Sequence, residues 1–88
     1  MDKEELQLQL KDNECLLADG FDSALIGITD GSNPVAVYDT DECIRCLMEE
    51  DEERFSEEDA IEFFYYNVVG SYVGDKTPVF IKQLTTNI

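Results

Sequence analysis

Two short apolar runs flank one turn-rich segment, and that arrangement constrains this chain most. Residues 24–28, Ala-Leu-Ile-Gly-Ile, are apolar. Residues 35–38, Val-Ala-Val-Tyr, are β-branched and aromatic. Between them stands Thr29-Asp30-Gly31-Ser32-Asn33-Pro34, dense in residues that turn a backbone. The pattern predicts a β-hairpin over 24–38 with a longer connection. A bare hairpin is marginal in water, so a third strand is expected to pair with one of its members. Val79-Phe80-Ile81, after the turn Lys76-Thr77-Pro78, supplies it, and the strand is expected over 78–82.

Helix signals fill the rest. Leu6, Leu10 and Leu17 are spaced to suit one helical stripe, so a helix is expected over 1–18, stopped by Asp19-Gly20. The alternation Leu-Gln-Leu-Gln-Leu at 6–10 would also suit a strand. A second helix is expected over 39–53. Asp39 or Thr40 can cap its first turn, and Cys43, Ile44, Leu47 and Met48 form its apolar side. A third is expected over 56–70, with Ser56 as cap, Phe55 against Ala60 as a small staple, and Ile61, Phe64, Tyr65 and Val68 as its apolar face. Residues 85–88 read as a loose tail. The order helix, strand, strand, helix, helix, strand describes one α+β domain over 1–88. It is expected to be a small three-stranded antiparallel sheet with helices packed on one face.

The chain has 88 residues and a formal net charge of −15, with only six Lys and Arg. That charge opposes direct contact with nucleic acid, whose phosphates need cations. It favours association with basic proteins by long-range attraction. No apolar run approaches the roughly 20 residues of a membrane span, and residues 1–10 do not read as a signal peptide. Cys15, Cys43 and Cys46 are an odd count, which argues against a closed disulfide framework. Thiols in a reducing cytoplasm are the expectation.

Catalytic and metal chemistry find little to work with. There is no histidine, which removes the commonest general base, metal ligand and nucleophile partner. Cys43-Ile-Arg-Cys46 has the C-x-x-C spacing, but it falls about one turn inside a helix, among acids that raise a thiol pKa. The plain reading is a core Cys43 with Cys46 at the edge of the apolar face. Zinc wants four ligands, and three Cys without His do not make them. The acids match no EF-hand frame, and the glycines match no phosphate loop. A non-enzyme with no cofactor and no metal is expected.

The densest feature is the acidic block. Nine of the fourteen positions from 49 to 62 are carboxylates. A charge run of this kind is ordinarily the solvated face of helices. The alternative is a surface that meets a basic partner, with Glu49, Glu50, Asp51, Glu52, Glu53, Glu57, Glu58 and Asp59 steering it. Residues 49–52 repel one another on a helix, a local cost to folding. Phe63 and Tyr66 fall off the main apolar face of the third helix. They are expected to pack under the N-terminal helix, since a small domain has few other ways to cover it, or else to anchor a partner together with Tyr72.

Several stretches carry a further likeness. They are Ala18-Asp19-Gly20-Phe21-Asp22-Ser23-Ala24-Leu25-Ile26-Gly27, Pro34-Val35-Ala36-Val37-Tyr38-Asp39, Ser56-Glu57-Glu58-Asp59-Ala60-Ile61-Glu62-Phe63-Phe64, Asn67-Val68-Val69-Gly70-Ser71-Tyr72-Val73-Gly74 and Thr77-Pro78-Val79-Phe80. Over residues 15–81 the chain resembles a family of small, uncharacterised acidic proteins encoded by tailed bacteriophages. The resemblance implies a phage accessory protein in the bacterial host cytoplasm and carries no catalytic residues across. The chain departs from it in the acids of 49–54, in Cys46 and after Lys82. The expected function is binding that modulates or inhibits a basic host protein, one that handles nucleic acid or serves in defence, in the manner of an anti-CRISPR protein or a DNA mimic. The alternative is a structural or homo-oligomeric phage protein, a homodimer for instance, with the aromatic helix face as its self-interface.

Overall fold

The computed structural model describes residues 1–50 and 56–84. In chain order it contains α1 (Lys3–Asp12), a 3₁₀ turn (Asp22–Ala24), β1 (Leu25–Ile28), β2 (Ala36–Asp39), α2 (Thr40–Glu50), α3 (Glu57–Phe63), a π-helical continuation of α3 (Phe64–Val69), and β3 (Val79–Ile81). The fold is α+β, as the sequence predicts.

The sheet order is β1-β2-β3. β1 and β2 form the antiparallel hairpin. Thr29 closes its loop twice: its N–H donates to Val35 O, and its Oγ1 accepts from Val35 N–H at 2.9 Å. β3, however, lies parallel to β2, so the sheet is mixed and not antiparallel throughout. Two long-range hydrogen bonds explain the direction. Asn33 Nδ2 donates to Asp75 O at 2.7 Å, and Lys76 Nζ donates to Pro34 O at 3.1 Å. They hold the turn before β3 beside the loop before β2, so both strands start from the same end. The connection through two helices supplies the crossover that a parallel pair requires.

A bulge decides which side chains of β1 face inward. Leu25 and Ile28 are three apart, and strict alternation would place them on opposite faces. The register pairs Leu25 with Tyr38 but Gly27 with Val37, so Ile26 is an extra residue. With it, Leu25 and Ile28 both reach the core.

The inner face of the sheet (Ala36, Tyr38, Leu25, Ile28 and Phe80) packs against Leu6 and Leu10 of α1, Cys43 and Cys46 of α2, and Phe64. The helical elements therefore cover one face. Val37, Val79 and Ile81 alternate onto the other, where Val79 and Ile81 are exposed. Aromatic rings bind the core together. Tyr38 stacks on Phe80 with centroids 5.6 Å apart, and Phe64 meets Phe80 edge-on at 5.2 Å. Phe64 is fully buried, and truncating such a ring costs about 3–5 kcal/mol.

Two helix starts follow the sequence. Asp39 Oδ2 accepts from Glu42 N–H at 2.9 Å, so Asp39 and not Thr40 caps α2. Ser56 Oγ accepts from Asp59 N–H and caps α3. The first helix does not follow it. α1 stops at Asp12, well short of residue 18. Asn13 Nδ2 donates to Gln9 O at 2.8 Å, Glu14 turns to φ 56°, and Cys15 N–H reaches back to Leu10 O. Leu6 and Leu10 enter the core as the stripe requires, but Leu17 falls past the helix end and is half exposed.

The π turn has a packing consequence. An α-helix repeats every 3.6 residues or about that, so positions four apart drift around the axis. The looser π turn offsets the drift, so Phe64 and Val68 both join the core in line with the buried Ala60. Ile61 and Tyr65, expected on that face, are only partly covered, at 36 % and 41 % exposure, with Tyr65 edge-on to Phe64. The expected staple of Phe55 on Ala60 and the tail 85–88 lie outside the described residues.

Candidate functional site

Capping, helix period and the π turn together set which side chains α3 presents outward. With Ala60, Phe64 and Val68 turned inward, positions 59, 62, 63, 66 and 67 fall on one outer face. Asp59, Glu62, Phe63, Tyr66 and Asn67 there line a shallow recess of about 320 Å³. Tyr66 is 78 % exposed and Phe63 is 38 % exposed. Tyr66 at least is not covered by α1, which overturns that expectation for its ring. Two carboxylates and two aromatic rings lie together at one-turn spacing. Asn67 Nδ2 donates back to Phe63 O at 3.3 Å, one turn earlier in the recess.

The other acids expected to steer a partner are placed differently. Glu57 and Glu58 are exposed in the first turn of α3, with Asp59 beside them. There they also complement the positive end of the helix dipole, so their charge serves folding as well as any partner. Glu49 is not a lone carboxylate. Arg45 lies between Glu42 and Glu49, paired with both at i,i+3 and i,i+4 spacing. The Arg45 hydrogen bonds hold the Glu42 carboxyl below its usual range. Glu49 also borders a separate small cleft with Gly20, Asp22, Ser23 and Cys46. Glu50 closes α2. Asp51, Glu52 and Glu53 lie outside the described residues. Tyr72 is 76 % exposed in the connection after the π turn, outside the recess.

Sequence reasoning missed Glu62 and Asn67, although their spacing from Asp59, Phe63 and Tyr66 carries the signal. It also missed a larger depression. Leu16, Leu17, Ala18 and Phe21 form one wall, and Val68, Ser71, Val73, Pro78 and Phe80 form much of the other. This groove measures about 420 Å³ and is mainly apolar. Its first wall exists because α1 ends early. The wall is fixed by Tyr38, whose buried hydroxyl accepts from Ala18 N–H at 2.8 Å. The second wall is fixed by Thr77, whose Oγ1 accepts from Val73 N–H at 2.9 Å and donates to Gly74 O.

The three cysteines form no disulfide, with Cys43 and Cys46 buried and Cys15 partly so. Cys43 is fully buried, and burial pushes its thiol up from 9.0 to about 12, with nearby Cys46, Asp39 and Glu42 adding to the rise. Such a thiol is a poor nucleophile at neutral pH. Cys46 Sγ shares a hydrogen bond of 3.1 Å with Ser23 Oγ, and Cys15 Sγ donates to Pro34 O. Among the described residues, no group of three or more His, Cys, Asp or Glu is placed to hold a metal ion. Among them, too, no helix is long and apolar enough to cross a membrane.

The chain matches no protein-family model, and no curated protein or solved structure matches it.

Proposed function

We propose that this chain is a non-enzymatic binding protein that docks on a basic protein through the outer face of α3. The observation that carries this reading is the recess itself, where Phe63 and Tyr66 lie against Asp59 and Glu62 on one exposed helix face. Aromatic side chains of this kind are enriched among the residues that dominate interface energies. The surrounding carboxylates and a net charge of −15 would speed encounter with a cationic surface and repel nucleic acid. Glu57, Glu58, Asp59 and Glu62 steer, and Phe63 and Tyr66 anchor. Origin in a tailed bacteriophage, action in the bacterial host cytoplasm, and a host target that handles nucleic acid or serves in defence complete the proposal. They rest on the resemblance over residues 15–81. Binding there would modulate or inhibit the target by covering its cationic groove.

Capture from a bacterial lysate tests this, with wild-type protein and Tyr66→Ala as baits. A basic protein held at low salt, released at ~0.5 M salt and lost with Tyr66→Ala is the expected result, since exposed charges are screened at that ionic strength. Equal capture by both baits would refute the role of the face. The exposure of Tyr66 also favours a second reading, self-association through the same rings. Sedimentation at low and high salt separates the two, because a self-interface built on aromatic rings would give a dimer indifferent to salt.

A further inference from the structure

The apolar groove beside the recess is not used by the reading above, and its chemistry narrows what the partner must look like. The groove and the recess share Asn67 in their walls, so they form one continuous surface along α3 and its π turn. Phe21, Val68 and Phe80 bring aromatic and aliphatic surface to its walls, and among the described residues the only ionic side chain in the lining is Asp19. Among the described residues, no Lys or Arg lines it. Beyond Asn67 stand the carboxylates Asp59 and Glu62. An apolar slot is thus bordered by negative charge at its rim and along its continuation. Leu16, Leu17 and Val73 on its walls are 42 %, 51 % and 59 % exposed, so it is open along its length. Small-molecule sites instead enclose most of their ligand.

We infer that this groove seats a leucine-sized apolar side chain carried on a lysine- or arginine-rich segment of the protein partner, an inference that rests on the proposed binding role. The volume admits one such side chain and part of its backbone. Flanking cations then meet Asp19 on one side and Asp59 and Glu62 on the other. Their attraction adds rate and orientation, and the buried side chain adds residence.

The test is amide chemical-shift mapping on the full chain with two capped peptides, Lys-Lys-Leu-Lys-Lys and Lys-Lys-Ala-Lys-Lys. The leucine peptide is expected to shift the amides of Leu17, Val68, Ser71 and Val73, and to bind about tenfold or more tighter than the alanine peptide, from the extra apolar burial. Ser71→Trp, a neutral change at an exposed rim position, is expected to abolish that difference by filling the groove. Asp30→Asn in the hairpin loop is expected to leave it within about twofold. Equal shifts from both peptides along the α3 carboxylates alone would overturn the groove assignment and leave the proposed role standing. No shift from either peptide would overturn both. If uncharged cyclohexanol moved the groove amides as strongly as the leucine peptide, the slot would be a small-molecule site and the inference would fall.

Discussion

Replacing Tyr38 by Phe removes one oxygen from the middle of the molecule, and its effect can be worked from the structure. The Tyr38 ring is fully buried and stacked on Phe80, and phenylalanine keeps that packing. Only the bond from Ala18 N–H to the hydroxyl, 2.8 Å long, is lost. An amide left unpaired in a dry interior costs about 1–3 kcal/mol, while one that recovers a water partner costs about 1 kcal/mol. Ala18 lines the open groove, so water can reach it, and the lower figure applies. For a chain of this size about 1 kcal/mol lowers Tm by roughly 4–8 °C. Urea unfolding should show a lower midpoint with an unchanged slope, and the Ala18 amide should exchange faster. Burial also raises the Tyr38 pKa above its ordinary 10.0, against the opposing effect of the Ala18 bond. The folded protein keeps that proton where the unfolded chain releases it, so stability falls as pH rises above about 10. The variant lacks this contribution and should lose less stability there. An unchanged midpoint with an Ala18 amide still protected would refute the reasoning.

Other consequences follow from single contacts. Stability should decline as pH rises from about 9 toward 12, because the folded state holds the Cys43 proton that the unfolded state gives up, and Cys43→Ala should flatten that decline in urea titrations. Ser56→Ala should cost about 1 kcal/mol by removing the cap of α3, read from thermal unfolding. Adding sodium chloride to ~0.5 M should raise Tm, because a net charge of −15 repels itself in the compact state. Sedimentation at low salt should show a monomer, for the same repulsion opposes pairing of two copies.

The parts of this fold that were legible in the sequence are those fixed by local chemistry. The hairpin follows from turn residues between two β-prone runs, and the starts of α2 and α3 follow from Asp39 and Ser56. The ends of elements were less legible. α1 stops at Asp12 because Asn13 folds its own side chain onto Gln9 and Glu14 accepts a left-handed φ, a choice that the spacing of Leu17 hides. The direction of β3 is set by bonds between residues 42 apart, which no local pattern contains. For the site, exposure of Phe63 and Tyr66 depends on the π turn keeping Val68 inward, again a tertiary outcome. The pairing of Arg45 with Glu42 and Glu49 has a signal in the sequence that went unread, since the three stand at i,i+3 and i,i+4 spacing.

The most direct test of the binding face is the salt dependence of affinity for the captured partner. It should be measured for wild type and for a variant with Glu57, Glu58 and Glu62 changed to Gln and Asp59 to Asn. The wild type should weaken steeply with salt, and the variant should bind more weakly with a much shallower slope. Identical slopes and affinities would show that the outer face of α3 does not meet the partner.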